Sequence, residues 1–192
     1  MLDLLRKTGA LLEGHFLLSS GRHSDKYIQC AKLLSHPEAA KKAVKLIADK
    51  LAGFDIDTVV GPAMGGIVVS YELASQIGAK SIFTERENNV MTLRRGFDVE
   101  NGEKLIISED VITTGKSSLE TLKVIEDRGA EIVALCALVD RRDTDEDFIL
   151  LENGRKLPVY SALKLHIKTY TPEECPLCKS GLKPVKPGSR KF

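Results

Sequence analysis

Through the middle of the chain, short apolar runs alternate with helix-length amphipathic stretches, and glycine-bearing turns separate them. Thr58–Val60 reads as a buried strand, followed by Gly61-Pro62-Ala63-Met64-Gly65-Gly66 and a helix from Ile67 to Ile77. Ser81–Thr84 is the next strand. Lys104–Ser108 follows, then a helix over Ser117–Arg128 that stops at Gly129. Glu131–Val139 and Val159–Leu165 are two more strands. Apolar strands separated by helices predict βαβ units and a parallel sheet covered on both faces. Upstream, Leu2, Leu4, Leu5, Leu11 and Leu12 predict one short amphipathic helix, and the spacing of Ala40, Val44, Ile47 and Leu51 predicts another over 37–51. Residues 14–36 read as loop with a strand near Tyr27–Cys30.

At 192 residues, 43% hydrophobic and 29% charged, the chain can bury a core without disulfide or metal staples. It has neither a run of the ~20 apolar residues a membrane helix needs nor a signal-peptide pattern at its start. These features predict a soluble, cytoplasmic protein with no membrane partner. The net charge of +1 is unevenly spread. Residues 175–192 carry Lys179, Lys183, Lys186, Arg190 and Lys191 and no acids, so the first 174 residues are net −4. The expected organisation is one domain over 1–174 and a basic tail over 175–192. An acidic body gives no reason to expect a nucleic-acid partner.

Cys30, Cys136, Cys175 and Cys178 are too few and too scattered for a disulfide framework. Cys136 lies in an apolar run, as a small core residue does. Cys175-Pro-Leu-Cys178 has the spacing of half a zinc site. A structural site takes four ligands, and the sequence holds no second pair. With His166 nearby, a partial or intersubunit site stays open, but a tight turn with two thiols is the favoured reading and no metal ligands are assigned.

Open α/β sheets bind ligands at the carboxyl ends of their strands. Residues 61–66, 109–117 and 140–142 should converge there. The most informative segment is Leu105-Ile-Ile-Ser-Glu-Asp-Val-Ile-Thr-Thr-Gly-Lys-Ser-Ser118. Its strand delivers Glu109 and Asp110, and Thr113, Thr114, Gly115, Lys116 and Ser117 then turn into a helix. Hydroxyls and unpaired N–H groups at a helix N-terminus suit a phosphate dianion. Two carboxylates beside that anion make sense if the ligand also carries hydroxyls or a magnesium ion, as a ribose phosphate would. The alternative is that they only cap the helix. Gly115-Lys116-Ser117 matches the end of a nucleotide-hydrolase loop, but that motif's first glycine would fall on Asp110, whose charge opposes a triphosphate.

The run Ile106–Ser117 resembles the signature of type I phosphoribosyltransferases: an apolar strand, two acids, two apolar residues, then Thr-Thr-Gly. Gly61–Ile67 resembles that family's diphosphate-binding loop, here Ala63, Met64, Gly65 and Gly66. Within the family, most of the chain is similar to the orotate-specific enzymes. Phe16-Leu-Leu-Ser-Ser-Gly-Arg-His-Ser24 with Tyr27 resembles their segment over the base pocket. The resemblance implies an α/β fold with a parallel sheet flanked by helices, a small hood (about 1–35 and 155–174) and a mobile loop. It also implies a homodimer and magnesium-dependent transfer of the phosphoribosyl group from phosphoribosyl diphosphate to orotate, for pyrimidine nucleotide synthesis. Glu109, Asp110, Val111, Ile112, Thr113, Thr114, Gly115, Lys116 and Ser117 would bind the ribose phosphate, with the two acids on the ribose hydroxyls, and Thr113 and Arg141 would bind orotate.

Arginine's planar fork suits a carboxylated base. Arg141 as an ordinary surface charge is the alternative, since Arg142 and four acids follow it closely. The polar stretch from Glu85 to Glu103 reads as a functional flap or as a plain surface hairpin, with Met91–Leu93 and Phe97–Val99 as its arms. It offers Arg86, Arg94 and Arg95 as cations for the diphosphate. Ser19 and Gly65 stand where many of the orotate enzymes carry lysine. Two other functions remain in view: transfer to a purine or related base, which would not need Arg141, and a phosphoribosyl diphosphate-binding regulator, for which the basic tail is the only support.

Overall fold

A computed structural model of the chain describes residues 1–18 and 20–187. In chain order its elements are α1 (Leu2–Lys7), β1 (Leu11–Leu17), β2 (His23–Ile28), α2 (Cys30–Leu34), α3 (Pro37–Ala48), β3 (Thr58–Pro62), α4 (Gly65–Ile77), β4 (Lys80–Glu87) and β5 (Val90–Leu93). There follow β6 (Lys104–Ile112), α5 (Lys116–Glu126), β7 (Glu131–Asp140), β8 (Phe148–Leu150), β9 (Lys156–Lys164), β10 (Thr169–Tyr170) and α6 (Pro176–Lys179).

The main sheet runs β5-β4-β3-β6-β7-β9-β8. Its five inner strands are parallel, and β5 and β8 are antiparallel at the edges. Successive residues of each inner strand serve opposite faces. Val59 and Ile106 pack with Val44, Ile47, Val69 and Leu73 of α3 and α4. Val60, Leu105 and Ile107 pack with Ile125 of α5 on the other side. A strand covered twice has no polar face to show, so β3, β6 and β7 read as continuous apolar runs. The predicted α/β sheet is therefore the one observed, and no helix of the described residues is long and apolar enough to cross a membrane.

Four local expectations give way. The first helix ends at Lys7, because the chain turns at Gly9 (φ +65°) and Leu11 and Leu12 enter β1 instead. The helix predicted over 37–51 ends at Ala48, and Asp49–Leu51 tightens into a 3₁₀ turn. Val90–Leu93 does not pair with Phe97–Val99. It folds back on β4, because Asn88 and Asn89 (φ +49° and +65°) form the two-residue turn whose twist suits a hairpin. Finally, residues 155–164 are not hood: Lys156–Lys164 is β9, wedged in the main sheet between β7 and β8, where Leu157 and Val159 are buried.

The hood is a second sheet, β1-β2-β10. Arg22 fastens it by donating to Thr169 Oγ1 (2.8 Å) and to the Thr169 carbonyl (2.9 Å). The segment after Cys175 is no loose appendage over its described length. Val185 N–H donates to the His15 carbonyl (2.8 Å), and Leu17 N–H donates to the Val185 carbonyl (2.9 Å). Arg190 and Lys191 of the basic tail lie outside the described residues, as does Ser19.

Candidate active site

Between the hood and the carboxyl ends of β6 and β7 lies a cavity of about 960 Å³. Leu17, Leu18, Arg22 and Tyr27 come from the hood. Asp110, Val111, Thr113 and Thr114 come from β6 and the turn after it, and Arg141 follows β7. His166, Lys168 and Lys186 complete a wall richer in cations than in acids, Asp110 and Asp143 being its carboxylates. The strand-end rule thus brings Asp110–Thr114 and Arg141 to one place, whereas 61–66 does not line this cavity and adjoins it through Gly65, which lies against Asp110.

The turn into α5 opens on a left-handed glycine. Gly115 adopts φ +73°, a conformation that side chains resist, and caps a helix of 11 residues. The first α-helical bond at this end runs from Leu119 N–H to the Gly115 carbonyl (2.9 Å), so the N–H groups before it have no partner within the helix, and that of Lys116 lies 3.4 Å from Thr114 Oγ1.

Glu109 and Asp110 are adjacent but point to opposite sides of β6. Glu109 accepts a hydrogen bond from Ser118 Oγ of α5 (2.8 Å). Burial pushes its carboxyl up from 4.5 to about 7, against the Ser118 hydrogen bond and with help from the Asp110 charge. Asp110 faces the cavity and lies against Gly65 at the start of α4, leaving no room for a Cβ there. Burial raises its carboxyl as well, partly offset by the Val111 N–H (2.9 Å). This contact accounts locally for glycine at position 65. Ala63 and Met64, just before it, are joined by a cis peptide bond, and Met64 is largely exposed.

The two neighbouring arginines separate cleanly. Arg142 is buried and fully engaged: its guanidinium binds Asp140 (2.8–3.2 Å) and the carbonyls of Phe148 and Glu146 (2.7 and 2.9 Å). Arg141 lines the cavity, and its Nε is buried with no hydrogen-bond partner among the described residues. Burial pulls its guanidinium below the ordinary value, while Tyr27 and Cys30 act the other way. A buried arginine nitrogen without an acceptor is costly unless a ligand supplies one.

Arg86, Arg94 and Arg95 are not brought to this cavity. They are spent on the β4–β5 hairpin and its neighbour: Arg86 pairs with Glu120, Arg94 with Glu87 (3.1 Å) and Arg95 with Glu85 (2.9 Å). Sequence reasoning missed the lower wall, where Lys168 and Lys186 stand. Lys186 belongs to the tail, whose return along β1 no local pattern announces.

The family model for the phosphoribosyl transferase domain matches residues 29–148. Over all of its length the chain is 47% identical to an orotate phosphoribosyltransferase of Caldanaerobacter subterraneus subsp. tengcongensis, covering 97% of that protein. The crystal structure of orotate phosphoribosyltransferase from Aeropyrum pernix superposes with a TM-score of 0.74 at 27% identity, covering 86% of this chain and 94% of that one. An adenine phosphoribosyltransferase from Thermoanaerobacter pseudethanolicus superposes with a TM-score of 0.66 at 16% identity, over 86% of this chain and 100% of that one, a likeness of fold alone.

Proposed function

Because this chain belongs to the phosphoribosyl transferase family, we propose that it transfers the phosphoribosyl group of phosphoribosyl diphosphate to orotate, releasing diphosphate and forming orotidine 5'-phosphate. The observation that carries the choice of base is Arg141: its guanidinium lines the cavity and pairs with no carboxylate among the described residues, so it suits a carboxylated base, which orotate is and adenine is not. The full-length similarity to an orotate enzyme supports the same reading.

In the reaction the bond from the ribose anomeric carbon to the diphosphate oxygen breaks. A bond from that carbon to orotate N1 forms, and the N1 proton leaves to solvent. The backbone N–H groups at the start of α5 and the hydroxyls of Thr113, Thr114 and Ser117 hold the 5-phosphate. Asp110 accepts from ribose hydroxyls on the cavity side of β6, while Glu109, on the opposite side, braces the start of α5 through Ser118; Thr113 and Arg141 orient orotate, and Ala63–Gly66 receives the diphosphate. Positioning of the two reactants supplies much of the catalysis. Hard carboxylate oxygens at Asp110, beside oxygen-rich substrates, fit Mg²⁺, which keeps few protein ligands. When bound, it neutralises charge on the departing diphosphate. Arg86, Arg94 and Arg95 lie off their own cavity, so their role in catalysis is on a neighbouring copy in a homodimer, after their ion pairs open. The cytoplasm, where nucleotide precursors are made, is the fitting compartment.

The test is to incubate purified protein with magnesium and phosphoribosyl diphosphate, adding orotate, adenine, hypoxanthine or uracil in turn. Consumption of orotate with release of diphosphate is expected. Turnover confined to a purine would sink the assignment.

Glu109 makes a second expectation. Its folded carboxyl holds a proton more tightly than the unfolded one, so its contribution to stability is full below about pH 4.5 and is lost as pH rises through about 7. Glu109→Gln should therefore flatten the fall of Tm across that window. Parallel Tm profiles for the two proteins would mean that Glu109 is not buried as described.

A further inference from the structure

The geometry points to a structural zinc site made of His15, His23, Cys175 and Cys178, which rivets the C-terminal segment to the hood. The sequence shows only the Cys-x-x-Cys half, and His166, the histidine nearest it in sequence, is engaged elsewhere with Asp145 (3.4 Å). The other half comes from the hood hairpin, where β1 supplies His15 and β2 supplies His23. One ligand atom from each of the four residues lies within 4.8 Å of every other. Cys175 Sγ and Cys178 Sγ stand 3.4 and 3.8 Å from His15 Nε2. Cys178 Sγ is 3.3 Å from His23 Nδ1, and the two ring nitrogens are 2.9 Å apart. Tetrahedral zinc, with Zn–S about 2.3 Å and Zn–N about 2.0–2.1 Å, sets its ligand atoms roughly 3.3–3.8 Å apart.

The protonation pattern argues the same way. His15 Nδ1 lies 2.7 Å from the Leu182 carbonyl, which can only accept, so the proton sits on Nδ1 and the Nε2 lone pair faces the cluster. One lone pair then confronts a ring nitrogen and two sulfurs, of which it can satisfy one donor. A cation satisfies all four groups together. A backbone carbonyl that fixes the tautomer of a ligating histidine is the usual outer shell of such a site. His15, His23 and Cys175 are buried, Cys178 is half-buried, and both cysteines are free thiols. Two thiolates and two imidazoles leave no coordination position open, which suits a structural ion and favours zinc.

The site's consequence reaches the cavity. It anchors the chain at Cys175–Cys178 and, through Leu182, at the start of the return along β1 that carries Lys186 and Pro187 into the cavity wall. The ion therefore sets how tightly the hood and tail close over the substrates, while touching neither.

Metal analysis of the full chain, purified under reductant from zinc-supplemented cells, should give one zinc per chain. Replacement by Co²⁺ should give the strong visible absorption of a tetrahedral dithiolate site. Cys178→Ser and His23→Ala should each lose the ion on dialysis, whereas Arg141→Ala should keep it even where activity is lost, which separates this proposal from the assignment of the reaction. Should either ligand variant misfold, the Co²⁺ spectrum of the unaltered chain still decides. Zinc well below one per chain with no Co²⁺ spectrum, full zinc retention in both variants, or a Cys175–Cys178 disulfide in freshly reduced-purified protein would each overturn it.

Discussion

Arg141→Ala is expected to lower kcat/KM for orotate by about 30- to 1,000-fold, the equivalent of ~2–4 kcal/mol for one partner of a desolvated charge pair. Binding of phosphoribosyl diphosphate, measured alone, should change several-fold at most. The asymmetry follows from the division of labour at the strand ends. Arg141 leaves β7 with its N–H bound to the Ile112 carbonyl (2.8 Å), so its backbone is held by the sheet and truncating the side chain should not move the phosphate turn. Arg141→Lys keeps the charge but loses the planar two-pronged contact, and should recover part of the loss. Arg142→Ala is the contrasting case, because it strips Asp140 of its buried partner and should destabilise the fold before it touches specificity. Equal losses for both substrates in Arg141→Ala would argue against a carboxylate role.

That contrast also marks where sequence reading stops. The turn from β6 into α5 was legible because everything it needs is contiguous: an apolar strand, two acids, hydroxyls and a glycine at a left-handed position. The inner strands were legible for a related reason, since double coverage leaves a continuous apolar signature. Arg141 is named through the family resemblance, but its freedom beside Arg142 is a different matter. It turns on which guanidinium Asp140 captures, a question of side-chain direction that adjacent identical residues do not reveal. The hairpin arms were misread for want of weight on Asn88-Asn89, a turn signal present in the sequence. The His–Cys cluster was out of reach altogether. Its halves are 160 residues apart, and they meet only because the tail returns along β1. Local chemistry is written locally, whereas ligand sets assembled by topology are not.

Gly61→Ala should be the most damaging of the small substitutions around the proposed diphosphate loop. Gly61 is the last residue but one of β3 and Gly66 the second of α4, and their backbones pass so close that a Cβ on Gly61 would overlap the Gly66 carbonyl and reach within 3.1 Å of its Cα. No side chain can swing aside to relieve this contact, because both partners are backbone. Gly66 has no freedom to retreat either: a Cβ built on it already falls 2.8 Å from the Ser108 carbonyl and 2.9 Å from Pro62 Cδ, so it is hemmed in by β6. The strand end and the helix start must part, at a cost of ~1–3 kcal/mol or more. For a chain of this size that lowers Tm by about 2–4 °C per kcal/mol. The larger effect is on chemistry. Residues 63–66 ride on this junction, and a displacement of about 1 Å in a group that positions a reactant costs on the order of 100-fold. The KM for phosphoribosyl diphosphate should rise and kcat should fall, with orotate binding at Arg141 less affected. Near-normal turnover with only a lowered Tm would mean that the junction serves the fold and that the diphosphate is held elsewhere.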